Sequence, residues 1–131
     1  MELAVTSQAL AAMRAAAAAA HPHEACGLLL GEGARITEAR AARNAHPAPG
    51  THFEIDPQAL IDAHRAARAG GPAVLGYYHS HPCGPPEPSA TDRASASGDG
   101  RVWAIIAGEE VAFWQDGKQG FVALSFAVCD S

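Results

Sequence analysis

The sequence of 131 residues has few of the features that mark secreted, membrane-spanning or nucleic-acid-binding proteins. It contains three cysteines, an odd number that argues against a framework of disulfide bonds. No run approaches the roughly 18 consecutive apolar residues of a transmembrane helix. Nine basic residues stand against 14 acidic ones, and the net charge of −5 argues against a basic surface that binds nucleic acid.

A secretory leader is not expected either. The six alanines at 15–20 are its best candidate for an apolar segment, but Glu2 stands where a basic region would precede it and Arg14 interrupts the apolar residues. We therefore expect a soluble protein of a reducing compartment, the cytoplasm.

Large apolar side chains are also scarce. Aromatic residues make up 6% of the chain, and 31 of the residues counted as apolar are alanine, which buries little area. We therefore expect a small core, for which a homodimer would cover more apolar surface. The low net charge and two densely apolar stretches argue against disorder. The length favours one domain over 1–131.

The apolar pattern predicts an α+β domain with two longer helices and about six strands. One helix is expected after Thr6 or Ser7, ending before Pro22, and a second after Asp56, ending near Gly70. Apolar runs bounded by turn residues predict strands at 25–31, 73–79, 102–107, 111–115 and 121–128. The alternation at 52–55 also predicts a strand, and 3–5 and 35–43 are further candidates.

Two of the seven histidines, His79 and His81, end a predicted strand. Residues i and i+2 of a strand point to the same face, so both imidazoles can reach one point. Asp92 follows after ten intervening residues, enough for a loop to return a carboxylate there. Two neutral imidazoles and one carboxylate leave a fourth position open, as in catalytic zinc sites.

Simpler interpretations of these residues stay open at this point. Histidines at a strand end are often only partly exposed polar residues, and Asp92 can be the capping partner of Ser89 in a short helix. Glu24 stands at the rim of an apolar strand, where glutamate is commonly solvated, although near a metal-bound water it could act as general base. Periodicity does not choose between these interpretations.

The composite pattern resembles the JAMM motif of the MPN+ (Mov34/PAD-1) metallopeptidases. That motif is a distant glutamate, then His-x-His-Pro, a loop rich in glycine and proline, and Ser-x-x-Asp. Segments 24–31, 52–57 and 76–78 are also similar to compact bacterial members, so the resemblance covers most of the chain. The matching residues are Glu24, His79-Ser80-His81-Pro82 and Ser89-Ala90-Thr91-Asp92.

The resemblance implies the MPN fold, a three-layer α/β/α, cytidine-deaminase-like arrangement around a mixed, mostly antiparallel sheet. It implies that His79, His81 and Asp92 bind one zinc ion, with water as a fourth ligand. Glu24 would accept the proton of that water and pass it to the leaving amine, while Ser89 would help to hold the carbonyl oxygen as it becomes an oxyanion.

The resemblance also implies hydrolysis after the C-terminal Gly-Gly of a ubiquitin-fold protein, such as a small sulfur carrier, at a peptide or isopeptide bond. We expect the tail to add as a strand beside the sheet edge near His79 and His81. Two alternatives remain. A non-haem iron oxygenase also uses two histidines and a carboxylate, but it needs no partner glutamate. A non-catalytic MPN scaffold would have lost metal ligands that are all present here.

Overall fold

The computed structural model describes residues 2–130, which form seven strands and three helices. No helix among these residues is long and apolar enough to cross a membrane. The elements in chain order are β1 (Glu2–Thr6), α1 (Ser7–Ala20), β2 (Cys26–Glu32), β3 (Arg35–Ala42), α2 (Pro57–Arg68), β4 (Ala73–Ser80), α3 (Ala90–Ser95), β5 (Val102–Ala107), β6 (Glu110–Gly117) and β7 (Gly120–Cys129).

The seven strands form one closed sheet in the order β1-β3-β2-β4-β5-β6-β7. The sheet closes because β1 pairs in parallel with both β3 and β7. β4 and β5 form the third parallel pair, and the other four pairs are antiparallel. The prediction of a mixed sheet in an α+β domain is confirmed. The sheet has seven strands, where about six were expected, and it is closed, which was not predicted. The short β1 meets partners remote in sequence, which no local pattern reveals.

Helix α1 packs against the inner face of the curved sheet. It begins after Thr6, whose hydroxyl accepts a hydrogen bond from the Ala9 backbone N–H at 3.1 Å. Ala9, Leu10 and Met13 are buried at helical spacing, and alanines fill much of the remaining helix because they favour it. The core around this helix also contains residues from strands, among them Leu3, Val5, Leu29, Ile36, Tyr78, Val102, Ile106 and Phe113.

Helix α2 covers the opposite face of β2 and β4. Along β2, Leu29 faces the core around α1, whereas Leu28 and Leu30 contact Ala63 of α2. Asp56 caps α2 by accepting the Gln58 backbone N–H at 3.2 Å. Helices therefore lie on both faces of this part of the sheet, as the layered arrangement predicts, although the sheet as a whole is closed.

The segment 52–55 is not a strand, so that prediction is wrong. Its one bridge joins Asn44 and Ile55. The Asn44 side chain donates to the carbonyls of Glu24 at 3.1 Å and His52 at 3.0 Å, and its oxygen accepts the Glu54 backbone N–H at 3.1 Å. These bonds supplement two backbone hydrogen bonds that join residues 54–56 to residues 43–45. The backbone of Phe53, at the middle of the segment, takes part in none of these bonds.

Candidate active site

The side chains of His79, His81 and Asp92 converge beyond the end of β4. The two Nε2 atoms lie 3.2 Å apart. Oδ2 of Asp92 is 3.1 Å from Nε2 of His79 and 3.0 Å from Nε2 of His81. His79 and Asp92 are buried and His81 is partly buried. Within residues 2–130, this is the one cluster of three metal-ligating side chains whose ligand atoms lie within 4.8 Å of one another.

Strand pairing and a helix cap hold these three side chains in place. His79 lies opposite Cys26 of β2 and Ile105 of β5, so its backbone is fixed on both sides. The backbone N–H of His81 donates to the Ile106 carbonyl at 2.8 Å, which extends the pairing past the end of the strand. The predicted direction of both imidazoles, at i and i+2, therefore agrees with the structure.

Asp92 reaches the cluster through the capping box that the sequence predicts. Its backbone N–H donates to Ser89 Oγ at 3.0 Å, and the Ser89 backbone N–H donates to Asp92 Oδ2 at 2.9 Å. The same Oδ2 faces both histidines. The cap and the metal-ligand interpretations of Asp92 therefore do not exclude each other, because the cap fixes the carboxylate where the imidazoles meet it.

The electrostatics of the cluster favour an ionised carboxylate. Burial alone would raise the pKa of Asp92, but hydrogen bonds from His79, His81 and the Ser89 N–H hold it well below its usual range. Burial lowers the pKa of His79. Burial also acts to lower the pKa of His81, but hydrogen bonds to Asp92 and to the Pro85 carbonyl raise it overall. The result is a buried negative charge among imidazole nitrogens, which is suited to a cation.

The donor set fits a zinc ion. Tetrahedral zinc with bonds of about 2.0–2.1 Å places its ligand atoms roughly 3.3 Å apart, close to the 3.0–3.2 Å separations seen here. Nδ1 of His81 lies 2.9 Å from the Pro85 carbonyl. Because a carbonyl only accepts, Nδ1 keeps a hydrogen for Pro85, so the hydrogen that a bound cation would displace from His81 is the one on Nε2, which faces Asp92.

His79 is oriented by aromatic packing. Its buried Nδ1 has no hydrogen-bond partner among the described residues. The ring of Phe53 stacks on the imidazole at 4.3 Å with an interplanar angle of 14°, and Trp103 meets it edge-on at 5.7 Å. These two rings restrict rotation of the imidazole, a role that a hydrogen bond to Nδ1 usually has in metal sites.

Glu24 and Asp92 line the same open cleft of about 320 Å³. The Glu24 backbone is fixed, because its N–H donates to the Pro49 carbonyl at 2.7 Å and its carbonyl accepts from Asn44. Glu24 is only 7% exposed. Burial raises its pKa to about 7, against an opposing effect of His81. A carboxyl group with this pKa can both accept and release a proton near neutral pH.

Ser89, the predicted oxyanion donor, lies next to the cluster and is half-buried. Its Oγ accepts the Asp92 backbone N–H at 3.0 Å. A hydroxyl that accepts one hydrogen bond keeps its own hydrogen for donation. The structure therefore brings together all five residues that the motif selects: Glu24, His79, His81, Ser89 and Asp92.

Several contributors to the site were not found from the sequence. Phe53 and Trp103 were assigned to strands without a role, and only their aromatic character near the motif could have suggested one. Pro85 contributes a backbone carbonyl, which no side-chain pattern shows. The predicted groove at a free sheet edge is wrong: β4 is paired with β2 and β5, so among residues 2–130 no edge is free beside His79.

Comparison with known proteins identifies the family of this chain. A family model described as prokaryotic homologs of the JAB domain matches residues 6–117. The chain belongs to this family. A desampylase of Haloferax volcanii is 39% identical over 98 residues, which are 70% of this chain and 68% of that protein. A probable TtuB-protein conjugate cleaving protease of Thermus thermophilus is 35% identical over 101 residues, 77% of this chain and 62% of that protein.

Solved structures agree with this assignment. The solution structure of a protein from Desulfitobacterium hafniense is similar with a TM-score of 0.86 at 29% identity, over 98% of this chain and 94% of that chain. Together with the desampylase relative, family membership makes the chain a hydrolase of the JAMM metallopeptidase type. It gives no support to the oxygenase or the scaffold alternative.

Proposed function

We propose that this protein is a zinc-dependent peptidase or isopeptidase that cleaves after the C-terminal Gly-Gly of a ubiquitin-fold protein. The observation that carries the proposal is the meeting of two imidazole nitrogens and a carboxylate oxygen within 3.2 Å, in a cleft that Glu24 also lines. His79, His81 and Asp92 would hold one zinc ion. When bound, zinc lowers the pKa of water and polarises a carbonyl group.

The protein's own residues supply the proton transfers. Glu24 accepts a proton from the attacking water and returns it to the leaving nitrogen, and its raised pKa of about 7 suits both steps. The Ser89 hydroxyl donates to the carbonyl oxygen as negative charge develops there. One such donor contributes on the order of 3 kcal/mol in other oxyanion holes.

The shape of the cleft supports an extended glycine tail. Phe53 and Trp103 line the cleft together with Glu24. Because the Phe53 backbone makes none of the hydrogen bonds that fix its segment, it can pair with an extended peptide, as an added strand does. Glycine residues have no side chain and can approach this backbone closely. We therefore propose a binding groove along segment 52–55 rather than at an edge of β4.

The relatives support a protein conjugate as substrate. The Haloferax protein is named a desampylase, and the Thermus protein is named for cleavage of TtuB-protein conjugates. We propose that the substrate of this chain likewise contains a small ubiquitin-like protein. A cytoplasmic location and a single domain over 1–131 stay predictions. The homodimer expected from the small core gains no support from the relatives, and we do not propose it.

The test uses a small ubiquitin-fold carrier that has extra residues after its Gly-Gly end. We expect the purified protein to release those residues, a chelator to stop the reaction, and zinc to restore it. Mass spectrometry of the products identifies the cleaved bond. Changing the last glycine to valine should reduce the rate far more than changing the residue after it, because a valine side chain would keep the tail from approaching the Phe53 backbone as closely as glycine does.

Three results would contradict the proposal. Equal cleavage of glycine and valine tails, or efficient cleavage of unrelated unfolded peptides, would leave only a general zinc peptidase. Bound iron together with oxygen-dependent activity would favour the oxygenase.

A further inference from the structure

The proline loop, residues 82–88, joins β4 to α3 and touches the site through one carbonyl group. Pro85 O accepts the hydrogen bond from Nδ1 of His81 at 2.9 Å. The next carbonyl, Pro86 O, accepts a hydrogen bond from Nε1–H of Trp114 at 3.1 Å. Trp114 is half-buried on β6, 28 residues farther along the chain than Pro86.

Because it contains two adjacent prolines, the conformation of this segment depends on hydrogen-bond donors from other parts of the chain. Pro85 and Pro86 have no backbone N–H, so each offers only a carbonyl oxygen, and their φ angles are held near −65° by the rings. The orientation of each carbonyl then depends mainly on one remaining backbone angle. A hydrogen bond to Pro86 O therefore restricts the neighbouring Pro85 carbonyl, which is the group that holds the His81 ring.

We propose that Trp114 is a positioning residue for His81. Its indole N–H fixes the Pro85-Pro86 segment, and the Pro85 carbonyl then holds the Nδ1–H of His81, which directs Nε2 toward His79 and Asp92. This inference rests on the proposed metal-binding function. Trp114 lies outside the motif, but it would contribute to metal affinity, because that affinity depends on the groups that orient each ligand.

Other contacts of β6 hold a different part of the segment between β4 and β5. Asp116 Oδ2 accepts the backbone N–H groups of Ser97 and Gly98, both at 3.1 Å. Gln115 Nε2 donates to the Gly100 carbonyl at 3.2 Å. These bonds lie beyond α3, far along the chain from Pro85. Gln115 therefore offers a matched control, because its bond also runs from a β6 side chain to a loop carbonyl.

The test removes the indole N–H while keeping the ring. Trp114→Phe is one variant, and replacement of Trp114 by benzothienylalanine, in which sulfur takes the place of N–H, is a second with nearly unchanged shape. Gln115→Met is the control. Zinc affinity is measured by competition with a chromophoric chelator. Solvent exchange of the His81 Nδ1–H, which donates to Pro85, is measured by ¹H–¹⁵N NMR of the metal-free protein at a pH where the ring is protonated.

We expect zinc affinity to fall several-fold in both Trp114 variants, because the lost bond is one step removed from the ligand, whose direct partners are worth about 10- to 100-fold. The Nδ1–H of His81 should exchange with solvent several-fold faster, because the Pro85 carbonyl that holds it is less restricted. Gln115→Met should change neither property. Wild-type affinity and exchange rate in the benzothienylalanine protein, or an equal change in Gln115→Met, would overturn the inference.

The two measurements also separate this inference from the proposed function. If the wild-type protein binds no zinc, the proposed function fails. The exchange rate of the His81 Nδ1–H in the metal-free protein still shows whether Trp114 orients His81.

Discussion

Replacing Glu24 by glutamine separates the effect of this carboxyl group on stability from its effect on catalysis. Glu24 is 7% exposed in the wall of the cleft, and burial raises its pKa from 4.5 to about 7. Glutamine has the same shape but no charge. We therefore expect Glu24→Gln to stabilise the metal-free protein at neutral and alkaline pH while it abolishes most of the activity.

The size and sign of the stability effect follow from the pKa. Below pH 4.5 the group is protonated in both folded and unfolded chains, so it has no effect. As the pH rises, the unfolded chain ionises first, and the folded wild type loses stability until Glu24 itself ionises near pH 7. The full shift corresponds to roughly 3 kcal/mol. Because the cleft admits water, we expect about 2 kcal/mol.

Urea unfolding of the metal-free proteins at pH 4, 6 and 8 measures this difference in the free energy of unfolding. Glu24→Gln should match the wild type at pH 4 and exceed it by about 2 kcal/mol at pH 8. Glu54→Gln is the matched control, because Glu54 lines the same cleft but is exposed, and it should show no such gain. Added zinc should reduce the difference, since a cation attracts the wild-type carboxylate.

The same variant should keep its zinc while turnover falls by about 100-fold or more, because glutamine cannot accept a proton. A stability difference that does not grow between pH 4 and pH 8 would refute the burial argument. Retained turnover would remove Glu24 from the proton transfers. Loss of zinc would instead make Glu24 a ligand or a fold element.

Three further substitutions test the site and the fold. Asp92→Ala should lose most of its zinc by elemental analysis, because three ligands leave no redundancy, and full retention would make Asp92 only a cap. Ser89→Ala should keep zinc but lower the free energy of unfolding by about 1 kcal/mol in denaturant titrations, since α3 loses its cap; an unchanged value would contradict this. Gly76→Ala should lower the free energy of unfolding by about 3 kcal/mol or more, because the new Cβ would overlap the Val102 carbonyl oxygen. Gly50→Ala, whose Cβ meets nothing closer than 4.0 Å, is its control in thermal unfolding, and an equal loss there would refute the steric argument.

Features that depend on neighbouring residues were predicted from the sequence. Thr6 and the alanines after it predict α1, and the apolar runs predict most strands, because propensity and periodicity act over a few residues. The capping box of Ser89 and Asp92 spans one helical turn. The common direction of His79 and His81 follows from the two-residue period of a strand. The motif resemblance added Glu24, which none of these local rules could select.

Features that depend on distant residues required the tertiary structure. The sheet closes because β1 inserts between β3 and β7. These strands are distant in sequence, and whether they pair depends on the entropy cost of bringing them together, which no local pattern shows. The Asn44 side chain joins segment 52–55 to the backbone of Glu24. Burial of Glu24 and the contacts of Phe53 with His79 likewise depend on packing between elements. Local hydrogen bonds and side-chain directions involve few residues and are visible in the sequence, whereas burial and strand pairing depend on how the whole chain folds together.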